Sequence, residues 1–434
     1  MSPIPRRRPP ALIAAAIAVA ALLLPMTTSA ASANPQEQSG ASARHGSLVI
    51  PKTPVVEGKR LVEARVRVAL GDRKLREEVK SLTKQADSWL GKGPWTVTDK
   101  PKPAASGDIH DYLSQAPYFW ASQPPTAENP RGCPYVERDG VRNPEAEIGT
   151  DRVDAGNVLK SVPVLTLAWY YTGKKEYAEH ASEILRTWFV DPETRMNPNL
   201  NYAQGIPCKN DGRAIGIIDF AQYYTVNLDA MAILDAGAPG WTKSDRAGLR
   251  TWNEGYLDWL VNSDFGKQES AATNNHGTYA AMQIAGLAVA TGDKELARRT
   301  VREQGAKLID TQITAAGGQP RELARTRSWH YSNYNLAAFS RLAAIGKQVG
   351  VNLWSYQGPQ GQSLFGAIDY LLPTATEAAT WPHPELEFYR YAASDMVHAA
   401  ADAGHKAAKA AVPKLQAPPG GDLWDLRPAA QHAY

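Results

Sequence analysis

The sequence predicts an all-α fold, an (α/α) toroid or incomplete barrel of helical hairpins, from three observations. Apolar residues recur with helical spacing in a long series of segments, short polar turns such as 172–175 join many of them, and few stretches alternate as strands do. So many helical hairpins must either stack as a solenoid or close into a toroid. Because no fixed repeat period occurs, the toroid is the better prediction. The predicted helices cover residues 154–172, 175–189, 215–236, 243–263, 275–291, 294–312, 332–349, 362–372 and 387–411.

The N-terminus has the pattern of an export signal. Three arginines, Arg6, Arg7 and Arg8, precede an apolar run at 11–24, which Pro25 and small residues close. The apolar run is too short, and the stretch that follows it is too polar, for a membrane-spanning helix. We therefore expect residues 1–33 to be a signal peptide, 34–47 a disordered lead-in and 48–434 a single domain. The mature protein is expected to be secreted and free of the membrane.

The charge balance limits the class of partner. The chain has 47 Lys and Arg against 44 Asp and Glu, and loss of the three signal arginines leaves 44 of each. Such a balance argues against a broad nucleic-acid-binding surface. Any attraction for a polyanion must therefore come from local placement of basic side chains in a cleft.

The two cysteines of the chain, Cys133 and Cys208, are expected to form a disulfide, as exported proteins often do. Two separately buried thiols are the alternative. No Cys/His cluster has the spacing of a structural zinc site, and we predict neither a metal nor a cofactor. The oligomeric state is not predicted.

The chain before residue 154 is mostly irregular. A helical pattern at 61–89 is followed by a loop rich in Pro, Gly and Lys at 91–107, and then by a long irregular stretch at 110–143. Long loops in a compact domain are often functional, and aromatic side chains in them can stack on sugar rings. Tyr118 and Trp120 are candidates for stacking, whereas we expect Phe119 to pack against the body of the protein.

A second polar loop, at 197–204, interrupts the helical series. It carries three asparagines and a glutamine, a density of amides that suits hydrogen bonding to sugar hydroxyls. Turn formation is the alternative, because Asn and Pro favour turns.

The stretch Asn274, Asn275 and His276 opens a predicted helix. Asn274 has the side chain that an N-cap requires, and apolar residues follow with helical spacing. Two amides and an imidazole would then lie at the positive end of a helix dipole, where anions bind. In the alternative interpretation, Asn274 caps, Asn275 turns and a backbone carbonyl satisfies His276.

Residues 319–335 change from basic to aromatic just ahead of a predicted apolar helix. Tyrosine ordinarily titrates near pH ~10, and a close arginine lowers that pKa and makes phenolate accessible. A phenolate can take a proton from carbon, and the phenol can return one to a leaving oxygen. Together with donors such as Asn275 and His276, which would neutralise a carboxylate, this chemistry suits β-elimination from a polyuronide without a metal. A solvated basic face and aromatic packing are the alternative.

These motifs resemble the alginate-lyase superfamily of polysaccharide lyases, in the branch of exported bacterial proteins that includes glucuronan-cleaving members. The matching pieces are residues 118–120, 197–202, 274–276 and 322–335. They occur in the expected order, and the resemblance extends over about 108–389. The family fold is an (α/α) toroid.

The resemblance implies that Asn275 neutralises the substrate carboxylate, and that His276 neutralises it or acts as the base. Tyr331 corresponds to the catalytic tyrosine, as acid or as both acid and base. Arg325 is the implied catalytic arginine, with Arg327 as the alternative. We expect His330 and Tyr334, which compete for these roles, to pack in the core. The implied substrate-binding residues are Tyr118, Trp120, Asn201, Tyr202, Gln204, Asn274, Arg327 and His383.

The expected substrate is an anionic polysaccharide, a β-1,4-linked polyuronide such as glucuronan or polymannuronate. One tyrosine can serve both from one side, whereas guluronate, inverted at C5, would need a base and an acid on opposite faces. The first alternative function is a toroidal glycoside hydrolase, which needs two carboxylates. The second is a non-catalytic carbohydrate-binding protein. The carboxylates available to a hydrolase include Asp111, Asp151, Asp211 and Glu385.

Overall fold

Helices dominate the computed structural model, which describes residues 49–431. The predicted signal peptide at 1–33 and the predicted lead-in at 34–47 lie outside these residues, so both stay predictions. The helices are α1 (Gly58–Leu70), α2 (Arg73–Asp87), α3 (Arg152–Thr172), α4 (Lys175–Phe189), α5 (Ile218–Leu234), α6 (Lys243–Asn262), α7 (Asp264–Ser270), α8 (Asn275–Thr291), α9 (Lys294–Arg299), α10 (Ala306–Gln312), α11 (Pro320–Leu323), α12 (Ser328–Gln348), α13 (Leu364–Ala375), α14 (Ser394–Asp402) and α15 (Lys406–Ala411).

Four long helices form an inner layer. Helices α3, α5, α8 and α12 pack side by side in that order, and most of their residues are buried. Helix α4 packs outside α3, and α6 packs outside α8 and α4. These outer helices bury only one face, as amphipathic surface helices do. The predicted all-α fold of toroidally arranged helical hairpins is confirmed.

Several predicted boundaries are wrong for identifiable reasons. The predicted helix at 387–411 is broken, because Gly404 takes a left-handed conformation (φ 96°) between α14 and α15. The helical region at 61–89 is likewise two helices, which separate at Gly71 (φ 99°). Helix α12 begins at Ser328 rather than at 332, so Tyr331 lies inside its first turns.

Two small strand pairs lie in the irregular segments. Strand β1 (Leu113–Gln115) pairs in parallel with β4 (Tyr202–Gly205), and β2 (Phe119–Ala121) forms an antiparallel pair with β3 (Tyr135–Glu137). The predicted disulfide between Cys133 and Cys208 is present, with Cα atoms 6.4 Å apart. It joins the loop between β2 and β3 to the loop after β4.

Candidate active site

A cleft of about 750 Å³ lies at the N-terminal ends of the four inner helices. Each helix contributes residues of its first turns to the lining: Arg152, Gly156, Asn157 and Lys160 of α3, Ile218, Asp219, Gln222 and Tyr223 of α5, Asn275 and His276 of α8, and His330, Tyr331 and Tyr334 of α12. The N-terminus of a helix carries partial positive charge and attracts anions. These ends add partial positive charge to the cleft, although carboxylates of the protein, Glu322 and Glu385, already accept hydrogen bonds at the starts of α8 and α12.

Two tyrosine hydroxyls meet in this cleft. The hydroxyl oxygen of Tyr331 lies 2.8 Å from that of Tyr118, which precedes β2. Burial and the neighbouring Tyr118 raise the pKa of Tyr331 well above its ordinary value, although Arg325 acts to lower it. The predicted net lowering of this pKa by arginine is therefore wrong for the free enzyme, because burial and the second tyrosine outweigh the guanidinium.

The guanidinium of Arg325 lies against the ring of Tyr331, with Cζ 3.7 Å from the ring centroid. Its Nε donates to the Asp139 carboxylate over 2.9 Å, and Nη2 donates to the same oxygen. Burial alone would lower the pKa of Arg325, but its hydrogen bonds to Asp139 and the proximity of Tyr331 raise it. The chain after β3 thus supplies the carboxylate that positions Arg325.

A carboxylate from α11 occupies the N-terminus of α8. The backbone N–H and side-chain Nδ2 of Asn275 donate to the two oxygens of Glu322, over 2.7 and 2.8 Å. The predicted side-chain cap by Asn274 is wrong, since that side chain makes no capping bond. Glu322 satisfies the helix end instead and fixes the orientation of the Asn275 amide in the cleft.

His276 is oriented by a second buried carboxylate. Its Nδ1 lies 2.6 Å from Oε1 of Glu269, whose side chain is only 2% exposed. Burial alone would lower the pKa of His276, but the charge and hydrogen bond of Glu269 raise it. The other ring nitrogen, Nε2, makes no hydrogen bond to any residue in 49–431, so it is available to a ligand bound in the cleft.

Gln204 lines the cleft with its amide already engaged. Its Nε2 donates to Asp219 over 2.8 Å, and its Oε1 accepts from Arg213 over 3.1 Å. The backbone holds this non-glycine residue in the left-handed region (φ 51°). Gln204 therefore positions Arg213, which lines the cleft and stacks on Phe119, rather than offering a free amide to a ligand.

Comparison with known proteins assigns the family. The alginate lyase family model matches residues 96–381, which is more than half of the chain. The chain belongs to the alginate lyase family. Membership identifies it as a polysaccharide lyase, an enzyme with a polysaccharide substrate.

Individual relatives of the lyase agree with this assignment. An alginate lyase structure from Bacteroides ovatus is 30% identical, with a TM-score of 0.80 over 87% of this chain and 99% of that one. Alginate lyase A1-III from Sphingomonas species A1 shares the fold at 16% identity, with a TM-score of 0.55 over 87% of this chain and 97% of that one. A Pseudomonas fluorescens alginate lyase is 33% identical over 106 residues, which span 24% of this chain and 28% of that protein.

The lyase brings Tyr118, Gln204, Asn275, His276, Arg325 and Tyr331 together in one cleft, but six other predicted residues lie outside its lining. Trp120 donates its indole N–H to the Val141 carbonyl, and Asn201 accepts a hydrogen bond from Trp259. Tyr202 is held in β4 opposite Leu113.

The remaining three predicted residues are placed by other contacts. The backbone carbonyl of Asn274 accepts a hydrogen bond from the side-chain amide of Gln312. Arg327 pairs with Glu387 over 3.2 Å. His383 lies 2.6 Å from the hydroxyl of Tyr370 and lines a separate cavity.

The positioning carboxylates Asp139, Glu269 and Glu322 were not predicted, and neither was the contribution of α3. No local sequence pattern identifies these three carboxylates, because each one binds a residue in another segment of the chain: the separations are 186, 7 and 47 residues. Helix α3 does have a local pattern. Arg152, Gly156 and Lys160 recur every four residues, with Asn157 beside them, in a helix that is mostly apolar after Lys160, and this spacing marks one face of the helix.

Within residues 49–431, no group of three or more His, Cys, Asp or Glu is arranged to hold a metal ion. The same residues include no helix that is both long and apolar enough to cross a membrane.

Proposed function

We propose that the lyase cleaves a β-1,4-linked polyuronide, glucuronan or polymannuronate, by β-elimination. The observation that carries this proposal is the placement of the Tyr331 hydroxyl among donors suited to a carboxylate: Asn275, His276 and Arg325. The residue roles and the substrate are inferred from this geometry.

The first task of the site is to neutralise the carboxylate on C5, because the carbanion-like intermediate otherwise carries too much charge. Asp139 raises the pKa of Arg325 and Glu269 raises the pKa of His276, so both carboxylates favour the protonated, hydrogen-bond-donating form of their partner. Asn275 adds an amide that Glu322 orients. In this assignment His276 is a donor rather than the base.

The second task is to move one proton. In the active form the Tyr118–Tyr331 pair has lost one proton to solvent, so that the Tyr331 phenolate accepts a hydrogen bond from Tyr118 and lies against the Arg325 guanidinium. Because the pKa of Tyr331 is raised, this is a minor form of the free enzyme. The phenolate takes the proton from C5, the C4=C5 double bond forms, and the C4–O bond breaks. Tyr331 then returns that proton to the departing oxygen, which balances the reaction.

A single tyrosine that acts as base and acid requires the C5 proton and the C4 oxygen on the same side of the sugar. β-1,4-Glucuronate and β-1,4-mannuronate meet this requirement, whereas guluronate does not. The named relatives are alginate lyases, which supports polymannuronate, and the sequence resemblance extends to glucuronan-cleaving members. We also propose that the enzyme is secreted, on the basis of the pattern at 1–33.

Two of the four carboxylates that line the cleft are engaged by arginines, whereas Glu137 and Glu147 make no side-chain hydrogen bond or ion pair within residues 49–431. Asp139 is bound by Arg325, and Asp219 pairs with Arg152 over 2.8 Å. The acids that the sequence offered for hydrolysis do not line this cleft: Asp111, Asp151, Asp211 and Glu385. A pair of free carboxylates flanking the scissile bond is what inverting and retaining hydrolases need.

Mass spectrometry of the products tests the proposed reaction. Elimination yields new ends one water lighter than the products of hydrolysis, together with equal numbers of saturated ends. Products that carry only saturated ends would overturn elimination and support hydrolysis. Tight binding without any cleavage of the polymers would support a binding protein.

A further inference from the structure

Helix α3 is buried except for one face, and that face borders the cleft. Arg152, Val153, Gly156, Asn157 and Lys160 line it, while most other residues of the helix are buried. From Arg152 to Lys160 the strip runs about 12 Å along the helix, more than the length of one sugar ring. The catalytic groups come from α8, α12, the turn between α11 and α12, and the segments that flank β2 and β3, so this strip is a different wall of the cleft.

Arg152 on this wall pairs with Asp219, but three other polar side chains are available to a ligand. Within residues 49–431, the side chains of Arg142, Asn157 and Lys160 make no hydrogen bond or ion pair, and all three line the cleft. Lys160 does lie over the ring of Tyr223, with Nζ 5.6 Å from the centroid. Burial lowers the pKa of Lys160, and the nearby Arg142 and Arg152 lower it further, while Glu147 acts in the opposite direction. Positive charges are thus crowded here.

Gly156 leaves open space in the middle of the strip. A Cβ atom at this position would meet no heavy atom within 4 Å. Glycine is unfavourable inside a helix, and here no close packing partner requires it. Its effect is a flat stretch of helix surface between Arg152 and Lys160, against which a sugar ring can lie.

We propose that the exposed face of α3 and the facing Arg142 form a second uronate subsite of the cleft. The sugar ring next to the one being cleaved lies over Gly156, and its carboxylate is bound by Lys160 and Arg142. This inference rests on the proposed function, since it takes the ligand to be a polyuronide. Asn157 supplies an amide for a hydroxyl of the same ring.

A matched pair of substitutions at Gly156 tests the subsite. Gly156→Gln and Gly156→Glu place side chains of nearly equal size and good helix propensity at the open position, and they differ in charge. The added carboxylate should repel the substrate carboxylate, so we expect Gly156→Glu to raise KM about tenfold more than Gly156→Gln does. Because the effect is electrostatic, the ratio should shrink at high salt. Gly156→Ala controls for the loss of glycine alone.

Substitution of Lys160 gives an independent readout. Lys160→Met should raise the KM for long polymers about tenfold, with kcat little changed, because the contact stabilises ground state and transition state alike. The effect should disappear as oligosaccharides become too short to reach the subsite. Lys84→Met removes an exposed helical lysine of α2, outside the cleft, and should leave both parameters unchanged.

The two proposals fail in different ways. If the wild type forms no unsaturated product from any polyuronide, the proposed function fails. If the wild type is active but Gly156→Glu and Gly156→Gln have equal KM at low salt, and Lys160→Met behaves like Lys84→Met, the subsite is overturned and the proposed function stands.

Discussion

The hydroxyl oxygens of Tyr118 and Tyr331 lie 2.8 Å apart, although 213 residues separate them in the sequence. One comes from the segment before β2 and the other from the first turns of α12, and Arg325 covers the ring of the second. This contact joins the irregular N-terminal segments to the helical body at the point where the chemistry is proposed to occur.

Removal of the Tyr331 hydroxyl should abolish turnover. We expect Tyr331→Phe to lower kcat by about 10²–10⁴-fold, the usual contribution of a general acid–base group, while binding of the polymer is retained. Tyr118→Phe removes one hydrogen bond to the proposed phenolate and should cost about 10–100-fold. Steady-state kinetics and a binding assay measure both. Tyr202→Phe, outside the cleft lining, is the control, and unchanged activity of Tyr331→Phe would move the acid–base role elsewhere.

Glu269 should set the alkaline limit of activity. Its carboxylate raises the pKa of His276, so the imidazolium is present below that raised pKa and is lost as pH rises through it. In Glu269→Gln burial lowers the pKa instead, and we expect kcat/KM to decline from a lower pH than in the wild type. The pH dependence of kcat/KM is the measurement.

The surface pair of His180 and Glu183 provides a matched control for that experiment. Glu183→Gln removes a carboxylate from a histidine outside the cleft and should leave the pH profile unchanged. An alkaline limb that stays in place in Glu269→Gln would contradict the assignment of His276 as the proton-holding donor.

Substitutions of Arg325 and of Arg327 should have different effects on the pH dependence of the rate. Arg325 lowers the pKa of Tyr331, so Arg325→Ala should raise it further and move the acidic limb of the rate profile to higher pH, with reduced activity. Arg327 pairs with Glu387 outside the cleft lining, and Arg327→Ala should leave that limb in place. If only Arg327→Ala shifts the pH optimum, the arginine assignment is off by two residues.

The disulfide should stabilise both the fold and the site. It joins the loop between β2 and β3 to the loop after β4, and so fixes the segments that carry Asp139 and Gln204. Replacement of Cys133 and Cys208 by serine should cost about 2–4 kcal/mol of unfolding free energy. Thermal unfolding measures the loss, and activity should fall as Asp139 becomes less well positioned. An unchanged Tm would show that packing alone holds these loops.

Local patterns were sufficient for the helices and for part of the site. The sequence predicted α4 and α8 with their observed bounds. Helix α4 buries one face, which leaves a helical period, whereas α8 is a long apolar segment, buried almost throughout, whose start Asn274 marked. The start of α8 also placed Asn275 and His276 in its first turn, next to the cleft. Helix breaks at single glycines were missed at Gly71 and Gly404, since a left-handed glycine leaves no break in the hydrophobic period.

Contacts between distant segments could not be predicted from local patterns. Arg325 is positioned by Asp139, 186 residues earlier, and Asn275 by Glu322, 47 residues later. Trp120 and His383 carried the side chains expected of a sugar site, yet each is placed by neighbours that its own segment does not specify. Residue type predicted the chemistry that a side chain can perform, and tertiary packing determined whether that side chain lies in the cleft.

The most direct test of the account is ultraviolet absorbance during incubation of the mature enzyme with glucuronan, polymannuronate and polyguluronate, with and without chelator. Elimination creates a conjugated C4=C5 double bond that absorbs, whereas hydrolysis does not. We predict a rise with glucuronan or polymannuronate that chelator does not affect and that Tyr331→Phe abolishes. A rise with polyguluronate alone, or an equal rise in Tyr331→Phe, would contradict elimination by a single tyrosine from one side.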